Sequence, residues 1–260
     1  QANATSGLGL EKKSGQSIYR ALLGEGALEQ LIQPTAIDRL EVVPSELDLA
    51  GSEVDVARSD RYLHRFKEAI ASVVASGRYD YIFVDCPPSL GILTMNALTG
   101  ADSLLVPIQC EYYALEGLSV ITRVIQQLRD SGANPNLQLE GVVMTMYDTR
   151  TNLSQQVVQE VVTHFGDKVF ETMIPRSVRL SEAPSFGKPI ILYDKHCTGS
   201  AAYRQLAREF LKRRKLGGVE TAPEEEPQMP PPAQQENPPP PQEPEPAQAA
   251  TPAPAEPQTM

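Results

Sequence analysis

The sequence predicts an α/β fold, a mostly parallel sheet with helices on both faces. Several short runs are largely apolar, at 40–43, 81–84, 104–108, 141–146 and 190–192. A half-buried strand alternates apolar and polar residues, so runs without alternation fit strands covered on both sides. Stretches with helical spacing separate them, which is the pattern of a parallel sheet with crossover helices. One run, 81–84, ends directly on an acid, Asp85. Open sheets of this kind bind ligands beyond the carboxyl ends of their strands, where Asp85 falls.

In chain order, 40–43 is the first predicted strand. Residues 60–76 follow as a helix with Tyr62, Phe66, Ile70 and Val73/Val74 on one face. The strand at 81–84 comes next, then 104–108. Residues 114–129 form a helix through Leu115, Leu118, Ile121, Ile125 and Leu128, and 141–146 the next strand. A helix over 153–165 uses Val157, Val161 and Phe165, and 190–192 is the last apolar run. Residues 200–215 make an amphipathic helix. Its apolar stripe is Tyr203, Leu206, Phe210 and Leu211; Arg204, Arg208, Lys212 and Lys215 recur on the other face, thickened by Arg213 and Arg214. A charged helix face is most often simply solvated, so this spacing alone leaves its role open.

Composition divides the 260 residues in two. The stretch 219–260 holds 14 of the 23 prolines, eight glutamates and no Lys or Arg. With so little to bury it cannot offset its ordering entropy, so the expected organisation is a folded part at 1–216 and a disordered, acidic, proline-rich tail at 217–260. The tail supplies −8 of the net −10, leaving the folded part near −2. The acidic balance therefore does not exclude nucleic acid as a partner of the folded part. Cys86, Cys110 and Cys197 lack paired spacing, which fits a reducing cytoplasm. Cys86 and Cys110 read as small buried hydrophobes. His64, His164 and His196 show no metal spacing and are expected on surfaces. No apolar run is long enough to span a membrane, and no signal peptide is recognisable.

Asp85 has two readings. An acid closing an apolar strand is the arrangement that holds Mg²⁺, or a water of its shell, beside a nucleotide phosphate. It is equally a strand-end carboxylate accepting hydrogen bonds from the following turn. The sequence Cys86-Pro87-Pro88-Ser89 adds a turn of fixed shape, as expected of a loop beside a ligand.

The stretch YDYIFVDCPPSLGILTMNAL resembles the deviant Walker B and switch II region of ParA/Soj-type partition ATPases. The resemblance continues through LLVPIQCEYYALEGL, GVVMTMYDTRTNLSQQVVQEV, IPRSVRLSEAPSFGKPIILYD and GSAAYRQLAREFL, in family order and spacing. It implies a P-loop NTPase-like fold and ATP hydrolysis with Mg²⁺, with Asp85 positioning the metal or its water. It implies Met146, Pro175 and Arg176 near the nucleotide base, and Arg179, Arg208 and Lys212 as contacts to DNA. The partners it implies are a second subunit in an ATP-dependent homodimer, non-specific DNA and a ParB-like protein, in the cytoplasm at the nucleoid and without a membrane. The stretch EYYALEG at 111–117 resembles a segment near the dimer interface and reads otherwise as the start of a helix.

One family element is not found. No G-x-x-x-x-G-K-[ST] loop occurs, and the Gly187-Lys188 pair is followed by Pro189. The first residues, QANATSGLG, resemble the end of the family's switch I, with Ala2 where glycine is usual and Asn3, Thr5 and Ser6 as the remnant. The expectation is an N-terminally truncated domain lacking its first strand–P-loop–helix–strand unit, with unpaired sheet edges. Such a chain alone would bind no ATP tightly and be inactive. The alternatives are a non-enzymatic DNA-binding or interaction protein without a P-loop and, within the fold, a MinD-like membrane-cycling ATPase, which the acidic tail disfavours.

Overall fold

The computed structural model describes residues 2–46 and 52–214. The expected tail and Lys215 lie outside the described residues. The first layer is helical. Helix α1 (Asn3–Gly7) is a single turn; α2 (Ile18–Leu23) starts at Ser17, whose side chain accepts the Tyr19 amide, and stops at Gly24 in the left-handed region. Strands β1 (Gln33–Pro34) and β2 (Glu41–Val42) pair antiparallel over two residues each. The run predicted at 40–43 is thus a short hairpin arm, not a central strand. Helices α3 (Ser52–Ala57) and α4 (Arg65–Ala75) complete this layer, the latter preceded by a 3₁₀ turn at Tyr62–His64. Phe66, Ile70 and Val73 turn inward onto Leu22, Leu28 and Val56, as the periodicity of 60–76 predicts, whereas Tyr62 and Val74 of the predicted face are exposed.

The second layer is the parallel sheet. After α5 (Ile92–Gly100) comes β3 (Ser103–Gln109), then α6 (Ala114–Asp130) and β4 (Gln138–Thr145). Strands β3 and β4 run parallel over their full length with one register shift at Leu104/Leu105. Residues 169–176 lie along the other side of β4: the Phe170 amide donates to the Val142 carbonyl at 2.9 Å and the Ile174 amide to the Met144 carbonyl at 2.8 Å. Parallel bridges Val142↔Val169 and Tyr147↔Pro175 mark that third lane. Helix α7 (Asn152–Phe165) crosses between β4 and this lane, capped by the Thr151 side chain.

Both faces of the sheet are covered, as continuous apolar strands require. Val106, Val142 and Met144 face α6 and α7 through Ala114, Leu118, Val157 and Val161. The alternate residue Val143 joins Phe170 and Ile174 on the opposite face, packed by Leu180, Leu206 and Phe210. Those last residues belong to α8 (Val178–Glu182) and α10 (Thr198–Arg213). Between them lies α9 (Ile190–Tyr193), one turn in which the Leu192 and Tyr193 amides donate to the Pro189 carbonyl. The strand predicted at 190–192 is therefore a helical turn. Three apolar residues carry no period, and Pro189 pre-sets the backbone that starts the turn.

The largest departure is at 81–84. These residues run without secondary structure and pair with no strand among the described residues. Ile82, Phe83 and Val84 are exposed, Phe83 to 71%. Tyr81 and Phe83 lean on Phe210 of α10, with centroids 5.3 and 5.8 Å away. The physical reason is geometric: a strand needs a neighbour to receive its N–H and C=O groups, and among the described residues none stands beside this run.

Candidate functional site

A cleft of about 500 Å³ opens between the first layer, α5 and the 81–87 segment. Asn3, Thr5, Asp85 and Cys86 line it together, so two residues of the stretch that resembles switch I and the acid of the stretch that resembles switch II lie at one place. Thr5 is buried, and its hydroxyl oxygen accepts the Ser45 amide at 2.9 Å. Ser6 stays within α1, its hydroxyl donating to the Ala2 and Asn3 carbonyls at 3.3 Å each, and does not line the cleft. Asp85 is exposed, not buried at a strand end as its sequence context suggested, because the preceding run has no sheet around it. Cys86 is half-buried, and burial, then the Asp85 charge, raises its thiol pKa. Cys110 is fully buried and its thiol is pushed up to about 11 by burial, as a small core hydrophobe should be.

The chemistry of the cleft decides what it can hold. Among the described residues that line it, the charged side chains are Glu41 and Asp85; no Lys or Arg is present, and most of the rest are apolar, including Leu22, Phe66, Ile70 and Phe83. Asp85 offers a hard oxygen ligand suited to Mg²⁺. A triphosphate needs cations, and no Lys or Arg stands among the described lining residues. The described residues therefore do not by themselves fit a nucleotide polyphosphate.

Met146, Pro175 and Arg176 come together at the carboxyl end of the sheet. The Tyr147 amide donates to the Ile174 carbonyl at 3.1 Å and the Arg176 amide to the Tyr147 carbonyl at 3.0 Å, which locks the end of β4 to the third lane. Met146 has φ of +54°, a left-handed conformation that a non-glycine residue holds at a cost of about 1–3 kcal/mol. The Arg176 guanidinium lies 3.6 Å from Glu111, just before the exposed, edge-packed pair Tyr112 and Tyr113. Sequence reading passed over the next turn: Arg150 grips Asp148 bidentately at 2.9 and 2.7 Å, and its amide donates to the same carboxylate. Hydrogen bonds from the Arg150 side chain and backbone hold the Asp148 carboxyl down at about 2. A carboxyl depressed in the folded state stabilises above its unfolded value near 4, and that contribution is lost as pH falls toward 2. A carboxyl-carbon NMR titration should accordingly place the Asp148 midpoint well below 3.

The basic surface is the third group. Helices α8 and α10 touch at Gly199, where an added Cβ would stand 2.6 Å from Leu180 Cγ. Arg208 and Lys212 line a polar groove of about 610 Å³ beside residues 171–173, and among the described residues neither forms an ion pair. Glu209 shares that groove but is spent internally. Burial opposes its charge, yet Thr172, the amides of Glu171 and Thr172, and Arg213 together hold its pKa below the ordinary value. Arg213 also covers the Phe170 ring at 4.1 Å, and Arg214 bridges to Glu140 and donates to Ser103 at 2.7 Å. These two cations clamp α10 to the sheet, a role that sequence spacing could not separate from that of Arg208. Arg179 is half committed: Nη1 meets Glu182 at 3.2 Å and Nε faces Asp194 at 3.6 Å. A side-chain hydrogen bond with Tyr193, then the Glu182 charge, raises its pKa.

A family model described as an AAA domain matches residues 1–139. The chromosome partitioning protein ParA of Caulobacter vibrioides is 46% identical over 216 residues, covering 83% of this chain and 80% of that protein. The chain belongs to the ParA/Soj family of chromosome-partitioning ATPases. A second member, the sporulation initiation inhibitor protein Soj of Bacillus subtilis, is 49% identical over 210 residues, 80% of this chain and 82% of its own. Among solved structures, cobyrinic acid a,c-diamide synthase from Mycobacterium smegmatis with bound ADP and magnesium superposes with a TM-score of 0.68 at 31% identity, over 82% of this chain and 78% of that one. ParA-type function and a P-loop NTPase-like fold are thereby established for the chain. Among the described residues no helix is long and apolar enough to cross a membrane, and no cluster of His, Cys, Asp and Glu could hold a metal.

Proposed function

We propose that the protein works as a ParA-type ATPase whose DNA contact is the α8–α10 surface. The observation that carries this reading is the pair Arg208 and Lys212, without ion-pair partners among the described residues and set on an exposed groove while neighbouring cations are spent on structure. Two such cations on one helix face, with Arg179 on the helix that packs against it, form a phosphate-tracking stripe without base specificity. ATP with Mg²⁺ is the cofactor of the complete protein; Asp85 would hold the ion or its water. Phosphate-cradling groups have to come from outside the described residues, and without them the chain would bind nucleotide weakly and be inactive. Asn3, Thr5 and Ser6 would be the remnant of switch I, and Met146, Pro175 and Arg176 would lie near the base. The active form is an ATP-dependent homodimer on non-specific DNA, released when a ParB-like protein stimulates hydrolysis, in the cytoplasm at the nucleoid.

A second reading, a non-enzymatic DNA-binding protein, rests on the cleft having no cation among its described lining residues. Steady-state hydrolysis by the complete gene product separates the two. The expected result is DNA-stimulated ATP turnover that Asp85→Ala reduces by about 100-fold or more, the scale of losing a positioned metal or its water. Turnover that is unchanged by Asp85→Ala removes that residue from the site, and no turnover at all leaves the non-enzymatic reading standing.

A further inference from the structure

Residues 85–90, the loop that starts with Asp85, lie in neither strand nor helix. Among the described residues no backbone hydrogen bond ties them to another element. Pro87 and Pro88 have no N–H to give, so at those two positions the loop can be held only through its carbonyls. Thr94 supplies the donor. It is 7% exposed, and its hydroxyl donates to the Ser89 carbonyl at 2.6 Å, sharing the hydrogen with the Pro87 carbonyl at 3.4 Å.

That hydroxyl stands on a fixed base. Thr94 lies in the first turn of α5, and Asn96, two residues on, is 1% exposed. The Asn96 side-chain nitrogen donates to the Tyr62 carbonyl at 2.7 Å and the Ile92 carbonyl at 3.0 Å, while its oxygen accepts the Phe66 amide at 3.2 Å. Helix α5 is thereby bound to α4 and to the 3₁₀ turn before it. At its start, Gly91 packs so close to Glu53 of α3 that an added Cβ would stand 2.3 Å from the carboxylate. The loop is therefore gripped from a helix that is itself anchored. Two proline rings fix φ at 87 and 88, so a hold at Pro87 and Ser89 stiffens the path back to Asp85.

We propose that Thr94 is a positioning residue for hydrolysis: its hydroxyl sets the path of the 85–90 loop and with it the place of the Asp85 carboxylate. The inference rests on the reading of Asp85 as the group that holds Mg²⁺ or its water. Thr94 does not line the cleft, so it acts through the loop and touches no ligand. A side chain that only filled space could be exchanged for valine, which has the same shape, without effect; a donor could not.

The chain carries its own reporter of the loop. Cys86 adjoins Asp85 and is half-buried, whereas Cys110 is buried in the sheet core. Alkylation of the complete gene product by iodoacetamide without nucleotide, followed by mass spectrometry, reads loop and core separately. Thr94→Val should speed labelling of Cys86 by about threefold or more, the scale of one lost hydrogen bond, with Cys110 unchanged. Thr94→Ser keeps the donor and should label as the wild type does. In steady-state hydrolysis Thr94→Val should lower kcat by about tenfold, the loss usual when a group that orients a metal ligand is removed, while KM for ATP stays within about threefold. Thr94→Ser should restore the rate. Thr94→Ala repeats the deletion in a smaller side chain should valine disturb the core. Cys110 labelling that rises with Cys86 in both variants overturns the assignment, because Thr94 then supports the fold at large. Unchanged Cys86 labelling, or faster labelling with kcat intact, overturns the role of Thr94 alone. Turnover that is absent, or that Asp85→Ala leaves unchanged, overturns the reading of Asp85 and the inference with it.

Discussion

Replacing Arg208 and Lys212 together by glutamate is expected to weaken binding to mixed-sequence duplex by tenfold or more at low salt. The two side chains share one groove, and among the described residues they have no ion-pair partner that could mask them. Every phosphate that goes without its cation takes roughly 0.9 off the slope of log affinity against log salt, so the double variant should flatten that slope by about 2. Fluorescence anisotropy across a salt series measures both quantities at once. Charge reversal at Arg213 serves as the contrast. It destabilises the fold, because that guanidinium caps the Phe170 ring and donates to the Asp167 and Val169 carbonyls. An unchanged slope in the Arg208/Lys212 variant would remove the groove from the DNA interface.

Phe170→Ala is expected to cost about 3–5 kcal/mol, the range for emptying a buried aromatic site. The ring is 1% exposed, sits between the sheet and α10, and fills the space that Gly141 leaves open. Gly141→Ala is destabilising for the opposite reason, since its Cβ would come within 2.5 Å of the Phe170 ring and 2.7 Å of the Lys168 carbonyl oxygen. Combining the two should cost less than the sum, because the new methyl moves into volume the ring vacates. Relief is partial, as the Lys168 carbonyl does not move away. Urea unfolding of the single and double variants closes the cycle, and strict additivity would mean that the two groups do not compete for the same space.

How much was legible follows from what each signal depends on. Helices 114–129 and 153–165 and strands 104–108 and 141–146 were readable because their partners lie close in sequence and both faces are covered. The run at 81–84 has the composition of a strand, but pairing is a property of the neighbour, and composition cannot report whether one is present. At 190–192 three apolar residues are compatible with either period. Asp85 and the 3–6 stretch were assigned to switch II and switch I by family resemblance; Asn3, Thr5 and Asp85 line one cleft, and Ser6 does not. The division of the α10 cations was not legible. Arg208, Lys212, Arg213 and Arg214 look alike in sequence, and only the positions of Glu209, Glu140 and Phe170 sort clamps from free charges. Nor could sequence show Asp148 folded back on Arg150, two residues away, or Thr94 donating to the Ser89 carbonyl.

The unpaired run from Tyr81 to Val84 has a consequence for the protein's life in a crowded solution. Its amides and carbonyls pair with no strand among the described residues, and three exposed apolar side chains lie alongside. Such an edge accepts any extended chain that offers the complementary half, whatever its sequence. What settles on it is therefore decided by supply: a tethered strand wins by proximity, whereas at high concentration another copy of the same edge does. The segment that ends in Asp85 is the point at which the molecule is either finished or lost to association.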